Sequence, residues 1–184
     1  MRAKLVNELK KAYVFDFDDT LIKTSAKVYI YNNNKLIKSL TPAEYNDYKL
    51  QPNDELNFDD FNNPLFILRG KKYKMWPVLQ NIYNAKKTGR SNSDIYILTA
   101  RSEKSKYTIS SFLHRNGIIL PIENIFTIGD DLNLEQNISK DKQNILEKLN
   151  KKYDKIIFFD DNIDNVEMAK NISGVNIRLV DWIK

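Results

Sequence analysis

The 184-residue chain contains no cysteine and a single histidine, His114. The first absence excludes a disulfide framework, a thiol nucleophile and any cysteine-ligated zinc site. The second excludes a multi-histidine metal centre, and His114, next to Phe112 and Leu113, reads as an ordinary helix residue. Long apolar runs are missing too: Leu65–Leu68 and Ile156–Phe159 reach only four residues. A membrane span needs about twenty and a signal-peptide core about seven or more. The expectation is therefore a cytoplasmic protein with no membrane partner. There are 29 Lys and Arg against 24 Asp and Glu, a net charge of +5, which permits an anionic partner without requiring one. With histidine and cysteine nearly or wholly absent, any chemistry falls to carboxylates.

What is present is an alternation of short apolar strands and helical segments. Tyr13-Val14-Phe15 runs into Asp16-Phe17-Asp18, Ile95–Leu98 into Thr99-Ala100-Arg101, and Ile156–Phe159 into Asp160-Asp161. A weaker strand spans Asn124–Ile128 and another Val175–Val180. Continuous apolar strands indicate a sheet covered on both faces. Helices are expected over 102–115, stopped by Gly117, over 140–152 behind a Ser139 N-cap, and over 163–171. This pattern predicts a Rossmann-like parallel α/β sheet, with ligands beyond the carboxyl ends of the strands.

Residues from about 22 to 89 break the alternation. Lys27–Tyr31 and Lys35–Lys38, joined by three asparagines, read as a β-hairpin. Thr41-Pro42-Ala43-Glu44 opens a short helix, residues 51–64 read as a turn-rich acidic stretch, and a helix near Met75–Lys86 leads back. One domain over 1–184 is expected, carrying this stretch as a β-hairpin flap and small cap insertion. Its aromatics (Tyr45, Tyr48, Phe58, Phe61, Phe66, Tyr73 and Trp76) are expected to pack beneath the flap, with base stacking as the alternative. Lys71-Lys72-Tyr73-Lys74 is the candidate basic strip.

Asp16 and Asp18, at i and i+2 on an extended segment, point to the same side. Two such carboxylates repel unless a cation or a proton sits between them, and magnesium suits a few carboxylates, waters and phosphate oxygens. Asp-x-Asp alone also marks loops and helix caps. The convergence with Thr99, Arg101, Asp160 and Asp161 at other strand ends favours function.

Together these segments resemble the haloacid dehalogenase (HAD) superfamily of phosphotransferases. Asp16-Phe17-Asp18-Asp19-Thr20 is similar to its first motif, Asp-x-Asp-x-Thr, and Ile97-Leu98-Thr99 to its second. A lysine opening a helix would be the third, and Asp160-Asp161 with Asn165 resembles the fourth. The resemblance implies the HAD fold, with Asp16 as nucleophile and Asp18 as general acid and then base. It implies Mg2+ held by Asp16, the Asp18 backbone carbonyl, Asp161 first among the fourth-motif acids, and Asp160 as a second ligand or supporting acceptor. Thr99 would bind a phosphoryl oxygen, and Thr20 and Arg101 would lie at the substrate. For the lysine, Lys142 is preferred to Lys140, since it precedes the stripe Ile145, Leu146, Leu149 on the protein-facing side.

Thr99-Ala100-Arg101 with the double aspartate is similar to phosphatase domains of the polynucleotide kinase-phosphatase type, which remove 3′-phosphates from nucleic-acid ends. The chain departs from that group in carrying Ile138, not aspartate, four residues before Lys142, and has no kinase P-loop. The implied partner is a phosphorylated substrate, a nucleic-acid end or a nucleotide. A small-phosphomonoester phosphatase is the alternative, favoured by a closed, aromatic-lined cap, and an inactive binding protein comes third.

Overall fold

A computed structural model of the chain describes residues 9–129 and 137–180. Its elements run β1 (Lys11–Phe15), β2 (Ile22–Lys23), β3 (Val28–Asn32), β4 (Lys35–Leu40), α1 (Pro42–Asn46), β5 (Asp54–Asn57), α2 (Asp59–Asn62), α3 (Pro64–Leu68) and β6 (Lys71–Lys72). They continue with α4 (Trp76–Lys87), β7 (Asp94–Ser102), α5 (Lys106–Arg115), β8 (Ile125–Gly129), α6 (Ile138–Asn150), β9 (Lys155–Asp160), α7 (Ile163–Ala169) and β10 (Val175–Leu179).

Five strands form one parallel sheet in the order β10-β9-β1-β7-β8. Each strand alternates its side chains between two apolar layers. Phe15, Ile95 and Ile97 pack with α4 and α5 through Leu79, Ile109 and Phe112. Ala12, Val14, Leu98 and Phe158 pack with α6 and α7 through Leu146, Leu149 and Ala169. Such a fully buried Leu, Ile or Phe is worth roughly 1.5–3 kcal/mol over leaving it exposed. This is the two-sided α/β sheet the apolar strands predict. β1 lies at its centre, and the chain builds outward first through β7 and β8, then through β9 and β10 on the other side. The reversal puts a crevice at the carboxyl ends of β1 and its neighbours.

The segment between β1 and α4 forms two small antiparallel sheets, β4-β3-β5 and β2-β6. The hairpin β3-β4 turns at Asn33 and Asn34, whose φ angles of 49° and 59° suit a two-residue turn that asparagine tolerates. Thr41 and Glu44 complete the expected capping box of α1. Residues 51–64 are more ordered than a turn-rich reading allows: β5 pairs with β3, and α2 and α3 follow.

Two other expectations need correction. The 102–115 helix starts late, because β7 extends to Ser102, a 3-10 turn covers Glu103–Ser105, and α5 begins at Lys106. Asn137, not Ser139, caps α6, its side chain accepting from the Lys140 amide at 3.0 Å. Among the described residues no helix is long and apolar enough to cross a membrane.

Candidate active site

Immediately after β1 the chain turns sharply. The amides of Leu21 and Ile22 bond to the Phe17 carbonyl, and Asp19 adopts a left-handed φ of 54°. Aspartate is one of the few side chains that accept this region. The turn leaves Asp16 and Asp18 at the carboxyl edge of the sheet while Phe17 is fully buried.

Three elements meet on Asp16. The Lys142 ammonium from the first turns of α6 lies 2.6 Å from Asp16 Oδ1 and 2.7 Å from Asp160 Oδ2 at the end of β9. All three side chains are buried. Burial alone pulls an ammonium's pKa down, but the Asp16 and Asp160 carboxylates outweigh it and hold Lys142 protonated. The expectation for Lys142 thus has its geometry, whereas Lys140 is exposed and bonds Gln143.

Asp160 is spoken for on both oxygens. Besides Lys142, it accepts from the Asn162 amide at 2.9 Å and from Asn165 Nδ2 at 3.0 and 3.1 Å. Asn165 is steadied in turn by Ser139, whose hydroxyl donates at 2.7 Å. The Asn165 amide therefore serves Asp160 and not Asp161. Asp161 accepts a 3.1 Å bond from Thr20, and burial, with Asp160 beside it, pushes its carboxyl up to about 6. Burial, again helped by Asp160 and Asp161, also pushes Asp16 above the ordinary carboxylate range, with Lys142 opposing.

Arg101 is 2% exposed, and its guanidinium forks onto Asp18, Nε to Oδ2 at 2.7 Å and Nη2 to Oδ1 at 2.8 Å. The remaining arm donates to the Phe61 carbonyl of α2 at 2.5 Å, and the Phe61 ring lies 5.0 Å from the guanidinium carbon. A register shift between Thr99 and Ser102, where β7 pairs with β8, breaks the strand's alternation and turns Arg101 and Ser102 inward together. Thr99 is buried beside them and accepts from the Arg101 amide at 3.2 Å. The bulge had no signature in the sequence.

Asp16, Asp18, Thr99, Arg101, Lys142, Asp160 and Asp161 all line one cavity of about 600 Å³. The inserted segment also lines it, through residues including Tyr45, Phe58 and Phe61. These three rings pack on one another within the insertion and lie outside both apolar cores of the sheet, whereas Trp76 packs in the core shared by α4 and α5, edge-on to Phe112. The Lys71–Lys74 strip does not line the cavity; Lys72 and Lys74 sit over the rings of Trp76 and Tyr73.

Among the described residues no three carboxylate or imidazole side chains form a ready-made cation cage. The donor chemistry nevertheless suits magnesium. Lys142 pairs with Asp16 and Asp160, Asp18 and Asp19 are paired with Arg101 and Lys23, and Asp161 accepts from the neutral Thr20 hydroxyl. Magnesium commonly takes one or two protein carboxylates and keeps waters, and Asp16 and Asp161 are two carboxylates on the cavity lining. No protein-family model matches the chain, and no curated protein matches it in sequence.

Proposed function

We propose that the chain is a magnesium-dependent phosphomonoesterase of the HAD superfamily that works through an aspartyl-phosphate and acts on nucleic-acid 3′-phosphate ends. The observation that carries this reading is the meeting of Asp16, Asp18, Thr99, Lys142 and Asp161 in one cavity at three strand ends. An Asp16 oxygen attacks phosphorus, the ester P–O bond breaks, and its electron pair leaves on the alkoxide. Asp18 gives that alkoxide a proton, which requires Arg101 to release it and turn its fork to the phosphoryl oxygens. Asp18 then takes a proton from water, which attacks the aspartyl-phosphate and frees inorganic phosphate and Asp16. Thr99 donates to a phosphoryl oxygen and Lys142 offsets the developing charge. Asp16, Asp161 and the Asp18 carbonyl would hold magnesium, which would neutralise charge and polarise the phosphate.

A second reading, a phosphatase of small phosphomonoesters such as nucleotides, is favoured by the aromatic wall of the cavity. Purified protein with magnesium assayed on p-nitrophenyl phosphate, mononucleotides and a 3′-phosphorylated oligonucleotide separates the two. Faster turnover of the oligonucleotide is expected; faster turnover of mononucleotides selects the second reading. No turnover of any ester refutes both.

A further inference from the structure

We infer that the inserted segment builds a nucleobase subsite, in which Phe58 stacks on the planar base of the nucleotide whose phosphate meets Asp16 and Tyr45, nearly perpendicular to Phe58, meets the edge of that base. The inference rests on the phosphomonoesterase reading for the position of the phosphate, and it applies equally to a free nucleotide and to the last nucleotide of a strand.

The cavity has two chemically distinct sides. Its floor, at the strand ends, is acids with Lys142 and Thr99; the wall that the inserted segment contributes is Tyr45, Phe58 and Phe61 with Val28, Pro42 and Leu56. A molecule with its phosphate on the floor places its leaving group against that wall. Tyr45, Phe58 and Phe61 are only half-buried and belong to neither core. Phe58 meets Tyr45 at 5.5 Å and 86° and Phe61 at 6.2 Å and 67°. None is stacked face to face on another, so ring surface remains for a planar ligand.

The wall is poorly suited to a polyhydroxylated leaving group. Two of its amides are in use: the Asn57 amide bonds Asp59 through both its oxygen and its nitrogen, and the Asn62 oxygen accepts from Ser102 at 2.7 Å. Sugar hydroxyls laid against the ring faces would lose water without gaining partners there, while a base loses little on its faces. The wall is also held in place. Asp60 accepts from the Lys27 amide and the Tyr29 hydroxyl, and the Phe61 carbonyl accepts from Arg101 and from Ser105. Base-stacking surface and phosphate floor are therefore presented together before binding.

The test measures binding to the Asp16→Asn protein with magnesium, so that no turnover is needed. Thymidine 3′-monophosphate, a 3′-phosphorylated trinucleotide and ribose 5-phosphate are titrated by calorimetry. Stacking of one base predicts roughly 5- to 150-fold tighter binding of a nucleotide form than of ribose 5-phosphate. Adding Phe58→Ala or Tyr45→Ala removes most of that advantage, and Phe58→Tyr retains it. Which nucleotide form binds more tightly identifies the source, and either result supports the subsite. Equal affinity for ribose 5-phosphate and both nucleotides overturns it, as does full discrimination in both alanine variants folded by circular dichroism. Wild-type inactivity on every ester refutes the phosphatase reading and leaves this binding result to stand or fall separately.

Discussion

Arg101 holds two carboxylate oxygens and one backbone carbonyl, so a single guanidinium joins β7 to the turn after β1 and to α2. A sequence reading reaches Arg101, because it stands two residues past Thr99, but not its partner, which depends on a bulge and on an inserted helix far away in sequence. Removing it leaves Asp18 without its counterion next to an apolar wall. Arg101→Met is expected to lower the unfolding free energy by about 3 kcal/mol, as for other broken buried pairs, measured by urea denaturation. A loss below about 0.5 kcal/mol would mean the pair contributes little. Lys142 was more legible, since a helical stripe alone places it on the buried face of α6.

At the scale of elements, apolar runs reveal strands far better than they reveal how strands end. β1, β7, β8, β9 and β10 all lie where continuous Ile, Val and Phe predict them. β5 escaped because Asp54–Asn57 carries one apolar residue, and only its pairing with β3 makes it a strand. The Ser139 cap failed for a similar reason: serine caps well in isolation, but here its hydroxyl is used by Asn165. β7 and β8 approach closely at Gly129, where an added Cβ would sit 2.0 Å from the Ala100 carbonyl oxygen. Gly129→Ala must push the bulge and with it Arg101 and Thr99. It is expected to cost roughly 1–3 kcal/mol of stability and to lower activity more than Asn137→Ala, whose lost cap costs about 1 kcal/mol. Thermal melts and phosphate-release rates compared for both variants check this ordering.

Across the whole molecule, the two ends of the sheet do different work. The carboxyl ends carry the cavity; the other end carries a structural network. There Asp94 accepts from Lys86 at 2.6 Å and from the Tyr153 hydroxyl at 2.6 Å, and Tyr153 also meets Tyr96 at 2.6 Å. Partial burial raises the Asp94 carboxyl, but the bonds from Lys86 and Tyr153 outweigh it and hold it below the ordinary range. A depressed carboxyl stabilises the fold above its unfolded value near 3.9 and loses that contribution as pH falls through the folded value. Asp94→Asn is therefore expected to cost about 1 kcal/mol at neutral pH, a modest figure because the pair is partly exposed. The gap to wild type narrows as pH drops below about 4, followed by denaturant titration across pH. None of this network was read from the sequence, because its members are ordinary residues until the fold brings them together.

The central claim is that Asp16 attacks phosphorus. A single turnover with a phosphate-labelled nucleotide, quenched in acid and mapped by peptide mass spectrometry, tests it directly. The account predicts transient label on the peptide holding Asp16, absent from Asp16→Asn. Phosphate released at full rate by the Asp16→Asn protein, or by wild type without label ever reaching Asp16, would contradict it.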